Sequence, residues 1–137
     1  MKYLGVKIVD SEPMTAPEFN QQVRPLQYSG EDQRGYKVIY EDGYVSWSPK
    51  EVHEKAYRRI DNLTFGLAVE ALKKGCKVAR AGWNGKGMYI QLNPARDFEH
   101  SELLPFFTIK NVMNSFNTWV PSISDILAED WMIVIVE

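Results

Sequence analysis

The stretch Ala79-Arg80-Ala81-Gly82-Trp83-Asn84-Gly85-Lys86-Gly87-Met88 decides how this chain is read. It lies between two apolar runs, Val78-Ala79-Arg80 and Met88-Tyr89-Ile90-Gln91-Leu92. Short apolar runs interrupted by glycine read as two strands joined by a loop. Glycine permits positive φ and leaves backbone N–H groups uncovered, while Trp offers a flat stacking face. Lys adds a point charge suited to phosphate, and consecutive exposed N–H groups can form an anion-binding nest. Trp83, Asn84, Gly85, Lys86, Gly87 and Met88 are therefore a candidate site for a base and a phosphate together. A simpler reading stands beside it. Asn84-Gly85 is the usual hairpin dipeptide, with Trp83 as a packing cap.

Upstream, Thr64 is an N-cap for a helix whose Phe65, Ala68, Val69 and Leu72 share one face, spaced to pack on a sheet. Lys73-Lys74-Gly75 supplies a basic last turn and a glycine stop. Downstream, Asn93-Pro94 ends a strand, and residues 93–104 are polar and read as a connecting loop. Phe106 to Ile109 and Phe116 to Val120 read as strands flanking a turn at Asn114-Ser115.

A second informative stretch runs from Trp119 to Trp131. Pro121 halts a strand, and Ser122 or Ser124 can cap one helical turn. A helix start offers free N–H groups and hydroxyl donors, and Asp125 could take ribose hydroxyls. Trp119, Ser122, Ser124 and Asp125 are thus further candidate ligand residues. The competing reading is a capped turn in which Asp125 serves the helix N-terminus. Trp131 to Val136 is continuously apolar, as expected of a strand central in a sheet or at a subunit interface.

The N-terminal part reads differently. Tyr3 to Val9 has partial alternation and predicts a strand. Thr15, with Pro17 just after it, opens a short helical turn, and residues 24–35 form a loop. Tyr36 to Tyr40 and Tyr44 to Trp47 flank Asp42-Gly43, a hairpin signal. That hairpin could be a contact surface or could pack on the helix behind it. Ser48-Pro49-Lys50-Glu51 predicts a helix with Ser48 as N-cap, Pro49 as first residue, and Trp47 stapled onto Val52. Val52, Ala56, Tyr57 and Ile60 would form its inner stripe, with His53 on the rim.

The expected fold is α+β: a mostly antiparallel sheet against one or two helices, with an N-terminal hairpin and helix extension. Residues 1–62 are expected to form an accessory module and 63–137 the binding domain. At 137 residues and 45% hydrophobic content the chain can bury a real core. A net charge of −2 provides no basic field for nucleic-acid polymers. The single cysteine, Cys76, excludes an internal disulfide and reads as a small buried filler. No apolar run suits a membrane span, so a soluble protein of a reducing cytoplasm is expected. No nucleophile elbow, phosphate loop or metal-ligand spacing is present in the sequence, and the two His lie far apart. Binding is favoured over catalysis, with no cofactor and no metal expected.

Thr64 to Gly75, Val78-Ala79-Arg80 and Gly82 to Met88 resemble the opening of a small phage-encoded domain family that includes the second type of Thoeris anti-defence protein. Trp119, Pro121-Ser122, Asp125, Leu127-Ala128 and Asp130-Trp131 resemble its ending. The resemblance implies a sponge acting in the cytoplasm of the infected bacterial host. Such a protein holds the glycocyclic ADP-ribose signal that a TIR enzyme makes from NAD, without cleaving it. It also implies a homotetramer with ligand pockets between subunits, and for some members a separate site for cyclic dinucleotides. Carried onto this chain, Trp83 would stack on adenine or wall the pocket, and Asn84 would bond base or ribose. Lys86 and the N–H groups of Gly85 and Gly87 would face phosphates. Trp119, Ser122 and Asp125 would come from the other motif, and Phe65 would match as core. Residues 93–117 depart from the family's Gly-rich middle, and the first 60 residues have no counterpart in its shortest members. Two other functions stand beside the sponge: a phage structural or interaction protein, and a hydrolase of cyclic nucleotides.

Overall fold

A computed structural model describes residues 1–83 and 85–135. Asn84 and Val136, both named above, lie outside the described residues. The chain separates into two compact units, Met1–Arg58 and Arg59–Glu137.

In the first unit, strands β1 (Asp10–Pro13), β2 (Gly35–Ile39) and β3 (Val45–Pro49) form an antiparallel sheet in that order. Helix α1 (Ala16–Gln22) starts at Thr15 with a complete capping box: Thr15 Oγ1 accepts from the Glu18 N–H, and Glu18 accepts from the Thr15 N–H. Phe19 on α1 and Val38 on β2 are the unit's most deeply buried large side chains. The hairpin between β2 and β3 forms as expected, through a three-residue loop rather than a two-residue one. Tyr40 and Tyr44 still pair, and Gly43 takes a φ of +88°.

Four expectations for this unit are corrected. Residues 1–9 form no strand; the strand is the polar segment Asp10–Pro13, because that is the part facing β2. Ser48 does not cap a helix. Ser48 and Pro49 pair with Tyr36 and Gly35, so β3 runs through them, and α2 (Lys50–Ala56) begins one residue later without a side-chain cap. The staple is absent as well: Val52 is exposed, and Trp47 donates its indole N–H to the Met14 carbonyl and packs edge-on against Tyr28. Helix α2 is rotated from the predicted face. His53 turns inward, stacking on Tyr36 at 4.1 Å and sharing a hydrogen bond with Ser11 Oγ. Burial lowers the His53 pKa from its ordinary value.

The second unit holds β4 (Lys77–Arg80), β5 (Tyr89–Asn93), β8 (Phe106–Lys110), β9 (Phe116–Thr118) and β10 (Trp131–Val134) in one antiparallel sheet. Its order is β10-β4-β5-β8-β9. This is the α+β architecture read from the sequence. Helix α3 (Phe65–Lys73) lies over β4, β5 and β10. Thr64 accepts from the Leu67 N–H at its start, and Gly75 at φ +91° closes it. The Gly75 and Cys76 N–H groups return to Leu72 and Ala71, which satisfies two terminal carbonyls. Leu63, Ala68, Ala71, Leu72, Val78, Ile90 and Trp131 make the core, with Cys76 half-buried against it.

Two further corrections concern this unit. Residues 93–104 are no plain loop: β6 (Arg96–Phe98) and β7 (Ser101–Leu103) form a hairpin turned by Glu99 and His100, both at positive φ. Strand β10 is an edge strand, not a central one. Its continuous apolar run reflects α3 on one side and half-covered Met132 and Val134 on the other.

Leu72 is 1% exposed in a closed core. Leu72→Ala is therefore expected to cost about 2–5 kcal/mol, read as a lower urea midpoint for the transition of the second unit.

Candidate functional site

The loop opened by the glycines begins where β4 ends, and its root is held by one side chain. Arg80 donates from Nε to Asp130 Oδ1 and from Nη1 to Asp125 Oδ1, each at 3.0 Å. The two acceptors arrive from the far end of the unit. Asp130 immediately precedes β10, whose first residue, Trp131, is the register partner of Arg80. Asp125 lies in α4 (Ile123–Leu127), a single turn after β9. Asp130 then reaches the loop itself: its Oδ2 accepts from the Gly82 N–H at 2.9 Å, and its carbonyl accepts from the Ala81 N–H. A Cβ at Gly82 would lie 3.2 Å from that carboxylate oxygen. Gly82 is thus suited by closeness rather than by a special φ.

Asp125 is engaged on both sides. Its Oδ2 accepts from the Ser122 N–H, and Ser122 Oγ accepts from the Asp125 N–H, a closed capping box. Its carbonyl accepts from the Trp131 indole N–H at 2.8 Å. The side chains of Arg80, Asp125 and Asp130 are 22, 13 and 35% exposed, so their charges are only partly hydrated. Burial works to raise the Asp125 carboxyl, but the Ser122 hydrogen bonds and Arg80 outweigh it and hold it low. Asp130 is lowered in the same way, by Arg80 and the Gly82 N–H against burial. The Asp130 hydrogen bond, joined by Asp125, raises Arg80 despite its own desolvation.

Beside this polar brace stands an aromatic cluster. Trp131, fully buried, receives Trp83 edge-on at 5.6 Å and Trp119 edge-on at 6.1 Å. Phe65 from α3 closes the group, 5.5 Å from Trp131 and 6.4 Å from Trp119. The two sequence motifs therefore meet in space: Trp83 from one and Trp119 from the other rest on the same indole.

The remaining candidates fall in two sets. Gly85, Lys86, Gly87 and Met88 follow Trp83 in the loop, and Asn84 lies outside the described residues. A Cβ at Gly85 would collide with Met88 and Val112, and Gly87 holds φ +74° with its carbonyl accepting from Lys110 Nζ. Lys86 is exposed and, among the described residues, forms no ion pair. Ser124 is exposed one residue inside α4, and Ser122, not Ser124, is the cap. Sequence reasoning did not single out Arg80 and Asp130 as a pair. The available signal was positional: a cation ending one strand and a carboxylate opening another, in motifs that agree in order.

The comparisons with known proteins fall on this same unit. A family model described as the Thoeris anti-defense 2-like domain matches residues 63–134. The chain belongs to the Thoeris anti-defense 2-like family. Membership gives it the family's role in countering Thoeris defence. A relative from Bacillus phage SP01, Thoeris anti-defense 2, is 44% identical over 84 residues, spanning 53% of this chain and 94% of the relative. Arg80, Asp125, Asp130 and the three tryptophans all lie inside the family's span, and the unit ending at Arg58 lies wholly before it. Among the described residues no helix is long and apolar enough to cross a membrane.

Arg80→Met leaves two partly buried carboxylates without their shared cation, and is expected to cost about 2–4 kcal/mol in a denaturant titration. Both carboxyls titrate below their unfolded values. Their stabilisation is therefore complete above the ordinary carboxylate range, about pH 4, and is lost as pH falls through the lowered values. Thermal scans of the intact protein from pH 7 downward should show a decline there that Arg80→Met reduces, with the Ser122 and Gly82 hydrogen bonds retaining the rest. Trp83→Ala removes a ring packed on Trp131, and about 1–3 kcal/mol of stability should be lost in the free protein. An unchanged melting temperature would show that the ring adds nothing to the packing on Trp131.

Proposed function

We propose that this protein is a sponge: it binds a cyclic nucleotide immune signal and withholds it from its receptor without cleaving it. The signal class is a cyclic ADP-ribose derivative made by a TIR enzyme, with cyclic dinucleotides as the second class. The observation that carries the reading is the convergence of the two motifs on Trp131 and Arg80, within the span matched by an anti-Thoeris family. A planar base and a phosphate need a stacking face, a cation and N–H donors held at fixed spacing. Trp83, Lys86 and the Gly85 and Gly87 backbone can supply them, with Ser124 and the Ser122 hydroxyl at the other motif. Asp125 and Trp119 then act chiefly by positioning. Binding without turnover suits a site whose one lowered carboxylate pair is already committed to Arg80.

The proposal includes a homo-oligomer, with a tetramer as the specific expectation and the host cytoplasm as its place of action. In support, Val120, Ile123, Ile126 and Leu127 stand 83, 76, 48 and 74% exposed around α4. An apolar group of that kind beside the candidate site suits coverage by a second copy of the same domain.

The test is thermal stability of the purified chain against a panel of cyclic ADP-ribose isomers and cyclic dinucleotides, with the ligand recovered after heating and weighed. A ligand present at about 100 times its Kd should stabilise by ~2.7 kcal/mol, a shift of several degrees, and return at unchanged mass. No shift from either class defeats the sponge. A recovered ligand of altered mass makes the protein an enzyme. Lys86→Ala should weaken binding and flatten its salt dependence through loss of one phosphate contact. Equal affinity at low salt would remove Lys86 from the site.

A further inference from the structure

The first unit contains a segment whose sequence asks for a strand and whose surroundings provide none. Residues 2–10 read Lys-Tyr-Leu-Gly-Val-Lys-Ile-Val-Asp. Only Asp10 of these is paired, to Ile39 in β2. Continuing that antiparallel register places Ile8 and Lys7 opposite Glu41 and Asp42, where the hairpin is already turning. The segment therefore overruns its own sheet. The consequence is visible in exposure: Tyr3 is 85% and Leu4 92% exposed, while Val6, Ile8 and Val9 are half-buried. Where the segment passes the hairpin tip, Lys7 sits over the Tyr40 ring at 4.5 Å. A cleft of about 410 Å³ opens there between Lys7, Ile8, Tyr40, Glu41, Asp42 and Tyr44. Strand β1, which the segment leads into, is an edge strand with its outer side unpaired in the sheet.

We propose that residues 2–10 pair antiparallel with the same residues of a second copy about a two-fold axis at Val6, joining two three-stranded sheets edge to edge. The occupant is chosen by register. With Val6 opposite Val6 of the second copy, Leu4 faces Ile8, so the middle of one side of the ribbon is apolar. That side ends in Lys2 opposite Asp10 at each end, a pair of opposite charges. The other side pairs Tyr3 with Val9 and Gly5 with Lys7. Neighbouring registers are poorer. A shift of one residue in either direction sets Lys7 against Leu4 or Val6, because slipping by one mixes the faces. Centring on Lys7 opposes two like charges and puts Leu4 against Asp10, and centring on Gly5 puts Lys2 against Ile8. A single register satisfies both the apolar face and the charges, as an isologous contact requires. This contact belongs to the unit before residue 59, outside the family's span, and does not depend on what the second unit binds.

The experiment is disulfide mapping in the full chain with Cys76→Ser, so that each variant carries one thiol. Paired strands hold facing thiols at roughly millimolar effective concentration, so at about 10 μM protein Val6→Cys should form the two-chain disulfide about 100-fold faster than Lys55→Cys on exposed α2. Leu4→Cys and Ile8→Cys should link to each other on mixing and each only slowly to itself. Asp10→Lys should slow Val6→Cys linkage, and adding Lys2→Asp should restore it. Equal rates for Val6→Cys and Lys55→Cys overturn the proposal, leaving the segment to a different partner. Rapid self-linkage of Leu4→Cys overturns the register. A circular dichroism spectrum matching the parent confirms that each variant is folded.

Discussion

The second unit depends on one guanidinium. A planar cation with a fixed fork can satisfy two carboxylates at once, which an ammonium on a flexible stem cannot do with the same geometry. Arg80 uses that fork to join three pieces of backbone: the end of β4, the turn α4 and the start of β10. Asp130 then passes the constraint to Gly82. A loop rich in glycine has much conformational entropy to lose, and an anchor at its first residues removes a large part of it.

The aromatic cluster supplies the other half of the frame. Edge-to-face rings favour distinct geometries, so Trp131 fixes the directions of Trp83 and Trp119 as well as excluding water. Its indole N–H closes on the Asp125 carbonyl, so the polar and apolar halves share a residue. Damage to either half is expected to spread to the other, and neighbouring substitutions here will not add independently.

Much of this was readable beforehand, for local reasons. Thr64, Gly75, Thr15 and the β2–β3 turn act within four residues of themselves, so their chemistry is written contiguously. The α3 face was legible because helical periodicity needs no partner to be seen. What escaped was non-local. Ser48-Pro49 carries a helix-start signature, yet pairing with Tyr36 and Gly35 outweighed it. His53 was placed on a rim because helical spacing cannot reveal that Tyr36 and Ser11 lie across from it. The β6–β7 hairpin turns through Glu99 and His100, residues that do not announce left-handed backbone as Asn-Gly does. For the candidate site, both motifs were visible, but the Arg80 bridge joining them spans fifty residues of chain and is seen only once β10 has paired with β4.

The hairpin formed by Arg96–Phe98 and Ser101–Leu103 hangs between two sheet strands that already pair with each other along five positions, and its own residues are almost all exposed. The brace and the tryptophans are built from segments on either side of it. Insertions, deletions and substitutions in this appendage thus leave the frame's free energy nearly untouched. A change there costs the fold little, whereas a change in the frame removes buried packing or a partner of a partly buried charge. The unit thus carries one stretch whose sequence is decoupled from whether the protein folds.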